Sequence, residues 1–254
     1  MGSLNPLDFP DTHWSLLVRA SLNGEPEAQE ALDRFCRSYR PAVLEFIRWC
    51  GTPAQDAEEL AQDFFLRLLS SRAWRRAEQS QGRFRTFLLG ALKHHLVDAR
   101  RRREAGKRGG GAVPYSLDEL METESEPALE LPAGAESVFD RDWAVQLVEN
   151  ALGNVATEAQ SQGHAEQFGA LVPFLPVGME PPSYDALAAR LNLTVGAAKS
   201  EVHRLRQRFR TALRAEIART VGAPHEIDEE MRHLHAVLGF PGFDSRVRGE
   251  TPPT

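Results

Sequence analysis

Apolar residues recur at helical spacing through most of the chain, and no stretch alternates with the period of two that marks a strand. The first pattern is short: Asp11 or Thr12 can cap a helix carrying Trp14, Leu17 and Val18, and Asn23-Gly24-Glu25-Pro26 breaks it. From Glu27 to Cys50, Leu32, Phe35, Cys36, Tyr39, Val43, Phe46, Ile47 and Cys50 fall on one face of a longer helix. Pro41 should kink or interrupt it, because proline lacks the amide and crowds the preceding turn. Thr52-Pro53-Ala54-Gln55 reads as a capped helix start with proline in the first turn. The helix predicted over 53–69 turns Ala57, Leu60, Ala61, Phe64 and Leu68 inward and Glu58, Glu59, Gln62, Asp63 and Arg67 outward. A polar loop, Ser70 to Arg83, separates it from a long helix over 84–104. That helix is apolar at Phe84, Phe87, Leu88, Ala91, Leu92, His95 and Leu96, and it ends in the run Arg100 to Arg103.

Three consecutive glycines within Gly106–Gly111 mark a boundary, and residues 112–137 are acidic and Pro/Ser-bearing with little periodicity, as in a flexible linker. Ser137 can cap a helix over 138–152, and a further helical pattern covers 157–175. Past a loop at 176–182 comes a helical pair, then Gly222-Ala223-Pro224, a helix over 227–238, and a Pro/Gly-bearing tail. The expected fold is all-α. It comprises a leader (1–24), a helical bundle (25–105), a linker (106–137), a second helical domain (138–221) and a C-terminal extension (222–254).

The pair within Ser183–Arg210 carries the most chemistry. Leu187, Ala188 and Leu191 share one face of the first helix, Asn192-Leu193-Thr194 turns the chain, and Thr194 suits the N-cap of the second helix. That helix is apolar at Val195, Ala198, Val202, Leu205 and Phe209. Its other face holds Lys199, Ser200, His203, Arg204, Arg206, Arg208 and Arg210. A tight turn and a basic second helix are the parts of a helix-turn-helix that seats its second helix in the major groove of DNA. The alternative is a helical hairpin with a solvated basic face.

Charge sharpens this picture. The 254 residues carry a net charge of −6, which excludes a uniformly basic coat. The sign nevertheless alternates in blocks: Lys93–Arg108 and Lys199–Arg219 are basic, and Asp118–Asp142 is acidic. Two cysteines, Cys36 and Cys50, make no disulfide framework, and no apolar run reaches the roughly 18 residues of a membrane span. The N-terminus lacks the basic and apolar regions of a secretion signal, so a reducing cytoplasm is expected.

Asp56–Leu69, DAEELAQDFFLRLL, resembles the second conserved region of bacterial extracytoplasmic-function (ECF) sigma factors, with its D-A-E-D-L-x-Q-E-x-F pattern. Gly82–Arg103, GRFRTFLLGALKHHLVDARRRR, is similar to that family's segment for promoter melting and −10 reading. The helix-turn-helix resembles its region four, and the Trp14-containing start resembles a branch with extra N- and C-terminal pieces. This resemblance implies a promoter-directing transcription initiation factor, with core RNA polymerase and promoter DNA as partners. It leaves room for an anti-sigma or other regulatory protein.

Carried onto this chain, the resemblance assigns polymerase binding to Glu59, Gln62, Asp63 and Arg67. It assigns the −10 element to Trp74, Arg76, Arg83, Phe84, Lys93, His94, Arg100 and Arg101, with Trp74 and Phe84 as stacking partners for a flipped base. It assigns the −35 element to Thr194, Lys199, Ser200, His203, Arg204 and Arg206. The chain departs from the family's region four at Asn192, Ala197 and Glu201, where glycine, threonine and arginine are usual. Glu201 could accept from a cytosine amine or pair with Lys199 or Arg204. The acidic linker could mimic nucleic acid in a polymerase channel or serve as a tether.

Other classes are less well supported. His94-His95 and His233-x-His235 lack partners at metal-ligand spacing, and no nucleophile elbow, phosphate-binding loop or dinucleotide fingerprint occurs. No enzyme activity, cofactor, metal, small-molecule substrate or membrane partner is expected. A helix-turn-helix regulator and a sigma-like adaptor that does not support initiation stay open.

Overall fold

The chain, seen in a computed structural model, is described over residues 26–70, 83–107, 131–176 and 181–239. The elements are helical: α1 (Pro26–Trp49), α2 (Ala54–Ser70), α3 (Phe84–Lys107), α4 (Ala135–Ser161), α5 (Ala165–Leu171), α6 (Tyr184–Leu191), α7 (Val195–Ala218) and α8 (Ile227–Leu238). Short 3-10 turns at Val172–Phe174 and Pro224–Glu226 complete them. Among the described residues there is no strand, so the fold is all-α. The expected leader with Trp14, the centre of the linker and the tail beyond residue 239 lie outside the described residues.

Two compact units emerge: Met1–Gln146 with Ala218–Ile227, and Leu147–Ile217 with Asp228–Thr254. The first is built on α1, α2 and α3. Phe35, Tyr39, Val43, Phe46 and Ile47 of α1 meet Phe64 and Leu68 of α2 and Phe84, Leu88 and Leu92 of α3 in a buried core. Its aromatic rings meet edge-on, Phe35 and Phe84 at 5.3 Å and 87°, the arrangement that ring quadrupoles favour. Pro41 lies within α1, which continues through it without interruption. Its ring faces solvent while Tyr39, Ala42 and Val43 beside it are buried, so packing on the opposite face holds the helix across the missing amide.

The beginning of α4 belongs to this unit. Ser137 is not its cap: the helix starts two residues earlier, after Gly134, whose φ of +85° turns the chain as only glycine does readily. The break expected after Leu152 is also absent. The helix continues to Ser161 because Val155 and Ala159 keep its apolar row buried, and Gly163 (φ +76°) then ends it. Residues 106, 107 and 135–137, at the two ends of the expected linker, are helical.

The second unit buries Val148, Ala151 and Val155 of α4, Leu171 of α5, Leu187 of α6, and Val202, Leu205 and Phe209 of α7. Met231 and Leu234 of α8 are buried too, and Arg214 of α7 pairs with Asp228 at the start of α8. Asn154 donates to Glu216 at 2.9 Å, satisfying a carboxylate that is itself buried. No helix among the described residues is long and apolar enough to cross a membrane.

Candidate functional site

On α2, the heptad-like spacing of Ala57, Ala61, Phe64, Phe65 and Leu68 commits one face to the core. The opposite face presents Glu59 and Gln62 to solvent, together with Leu66, which is 69% exposed. Sequence reasoning passed over Leu66, although it sits four residues from Gln62 on the same exposed row.

Asp63 and Arg67 are placed differently. Arg67 donates from Nε to Asp63 at 2.9 Å and from Nη1 to Asp98 of α3 at 3.3 Å. Arg102 lies 3.0 Å from Asp98 and 3.4 Å from Asp63. These four charges join α2 to α3, with the Asp98 side chain 2% exposed. Burial raises the Asp63 carboxyl, but the Arg67 hydrogen bond and the charges of Arg67 and Arg102 outweigh it and hold the carboxyl below its usual range. His95, also 2% exposed, donates from Nε2 to the Leu60 carbonyl at 3.2 Å. Its burial pushes the ring down to about 4 despite Asp63 nearby, so at neutral pH it is an uncharged donor. Asp98 and Arg102 were not singled out from sequence. Their spacing from His95 along the inner face of α3 was the available signal.

Of the residues expected at the −10 element, Trp74 and Arg76 lie outside the described residues. Arg83 is half-buried just before α3. Phe84 is 0% exposed among Phe35, Tyr39 and Phe87, which corrects its reading as a stacking partner. A ring with no free face cannot receive a base, so it serves the core instead. His94 is half-buried and its burial lowers its pKa. Lys93 pairs with Glu136 of α4. Arg100 and Arg101 are exposed, Arg100 beside Glu104 at 3.2 Å. A cleft of ≈ 740 Å³ runs between Asp56, Glu59 and Asp63 on one wall and Arg100, Arg102 and Arg103 on the other. Arg103 crosses to Asp56 at 2.8 Å.

The turn and second cap expected between 183 and 210 form between α6 and α7, and a further cap opens α6. Ser183 Oγ accepts from the Ala186 amide at 3.1 Å and caps α6. Asn192 adopts the left-handed conformation (φ 53°) that ends it, a role asparagine fills better than most residues other than glycine. Thr194 Oγ1 accepts from the Ala197 amide at 3.2 Å and starts α7. Lys199, Ser200 and His203 form an exposed row in the first half of α7, with Lys199 5.5 Å from the Tyr184 ring. The remaining two candidates diverge from that row. Arg204 pairs with Glu201, and both line a groove of ≈ 370 Å³ with Val155, His164, Phe168 and Arg208. Arg206 donates from Nε (3.1 Å) and Nη2 (2.9 Å) to the Phe174 carbonyl, tying α7 to the turn before α6.

Residues 35–106 match the family model for sigma-70 region 2. The matched segment runs from the core of α1 through α2 and almost to the end of α3, well under half of the chain. It makes residues 35–106 similar to sigma-70 region 2. Neither a curated protein nor a solved structure matches the chain. Among the described residues, no cluster of three or more His, Cys, Asp or Glu side chains is disposed to hold a metal ion.

Proposed function

We propose that this protein is a transcription initiation factor of the extracytoplasmic-function type that joins core RNA polymerase and directs it to promoters. The observation that carries the reading is the succession of two features in one chain. A helical bundle matching sigma-70 region 2 is followed by a helix-turn-helix with an exposed basic row. In this reading Glu59, Gln62 and Leu66 on the free face of α2 meet the polymerase. Asp63 and Arg67 act behind them, since their charges are already engaged with α3. Lys93, Arg100 and Arg101 of α3 meet the −10 strand, joined by Trp74 and Arg76. Lys199, Ser200 and His203 face the −35 groove, with Arg204 at the edge of that row and Arg206 holding the helix. A promoter-directing role of this kind belongs in the cytoplasm.

Run-off transcription with purified core RNA polymerase and a library of upstream DNA tests the reading. The informative variant is the double substitution Glu59→Arg with Gln62→Arg. Both side chains are exposed, so the fold should survive, whereas reversing Asp63 would disturb the ionic cluster. Expected are defined transcripts with the parent chain, their loss in the double variant, and unchanged duplex binding by both. Duplex binding without any transcript would instead support a regulator that never joins polymerase.

A further inference from the structure

The first turn of α4 stands against a cation of α3. Lys93 and Arg100 are seven residues apart on α3, two turns along one row and so ~10 Å apart along the axis. The Arg100 end is open, its side chain 69% exposed. The Lys93 end is closed: its side chain is 20% exposed and its ammonium is paired with the Glu136 carboxylate. Anchors on both sides of Glu136 hold it there. On the C-terminal side, Phe139 is fully buried and meets Phe46 edge-on at 6.1 Å. Arg85 of α3 donates to Asp140 at 2.7 Å and lies 5.1 Å from the Trp143 ring centre. On the N-terminal side, Trp49 Nε1 donates to the Ala133 carbonyl at 3.2 Å. Residues 133–143 are thus fixed at both ends, with a carboxylate aimed at one cation in between.

We propose that Glu136 is an intramolecular competitor for DNA phosphate at Lys93, so that α4 acts as a clasp that damps the DNA affinity of α3. The proposal rests on the reading of α3 as a DNA-facing helix. A phosphate reaching Lys93 must displace a carboxylate that the chain itself supplies at high effective concentration. Because Glu136 is largely exposed, the pair is weak enough to open, and the damping is a matter of a fewfold rather than a block.

The test is a double-mutant cycle on the full chain, using Glu136→Gln, Lys93→Ala and the double variant. Binding to a fluorescein-labelled single-stranded DNA of mixed sequence is read by anisotropy over a range of salt. Expected is about threefold tighter binding for Glu136→Gln, with the log–log salt slope steeper by about 0.7 as one more phosphate is neutralised. Lys93→Ala should weaken binding, and adding Glu136→Gln to it should restore nothing. An equal gain in the Lys93→Ala background would mean that Glu136 acts only through the general field, and would overturn the clasp. A loss for Lys93→Ala with no gain for Glu136→Gln would overturn the clasp while leaving the DNA-facing reading of α3 intact. No effect of Lys93→Ala would remove both for this residue.

Discussion

His95 and Asp98 are buried polar groups whose role on the inner face of α3 is structural. The buried, neutral imidazole makes folding compete with protonation. Above about pH 6.5 the ring is uncharged in both folded and unfolded chains, and no penalty arises. Between 6.5 and about 4 the unfolded chain binds a proton that the folded one refuses, so stability falls on acidification. The full loss is of the order of 3 kcal/mol, complete below the folded value. Urea unfolding followed from pH 7 to pH 4.5 should show this decline, and His95→Gln, which keeps a donor for Leu60, should flatten it. Asp98→Ala removes the shared partner of Arg67 and Arg102. Because both arginines are partly exposed, it should cost about 2 kcal/mol rather than the upper range for buried pairs. Chemical denaturation of that variant gives the number directly.

At the scale of elements, the pair α6 and α7 was the most legible part of the chain, because its ends are set by local chemistry. The turn at Asn192-Leu193-Thr194 and the Thr194 cap were readable as a pattern, while the Ser183 cap of α6 was not picked out from sequence. Thr194→Ala should destabilise this unit by about 1 kcal/mol by leaving the Ala197 amide without its acceptor. Thermal melting of the variant checks it. On α7, Lys199→Ala should weaken duplex binding and flatten the salt dependence by about one counterion. Arg206→Ala should act mainly on stability, since its guanidinium holds the Phe174 carbonyl. Measuring melting and duplex binding for both variants separates the two roles. The helix ends that sequence misplaced, at Ser137 and after Leu152, lie instead at Gly134 and before Gly163, whose left-handed backbone bounds the helix.

At the scale of the whole chain, α8 is more than a tail. Met231 and Leu234 are buried, and Asp228 pairs with Arg214, so the second unit includes this helix. Truncation after Val221 should lower the unfolding free energy of that unit by several kcal/mol, the scale of losing two large core side chains. A denaturation curve with a shifted transition would show it; an unchanged curve would mean that α8 adds nothing to the core.

The sequence by itself determined the helical class, the run of helices through the bundle, the α6–α7 pair with its turn and Thr194 cap, and the location of the charge blocks. Those properties follow from periodicity and from hydrogen bonds closed within a turn, both of which are written in neighbouring residues. Tertiary structure alone decided which polar residues find partners. Asp63 and Arg67 lie on the polar side of α2 by spacing, yet α3 brings Asp98 and Arg102 against them across more than thirty residues of chain. Phe84 could begin a DNA-facing helix by sequence, yet α1 supplies the rings that enclose it. Lys93 is a solvated cation until α4 arrives with Glu136. In each case the deciding group is distant in the sequence, so local pattern gives a side chain's face but not its partner.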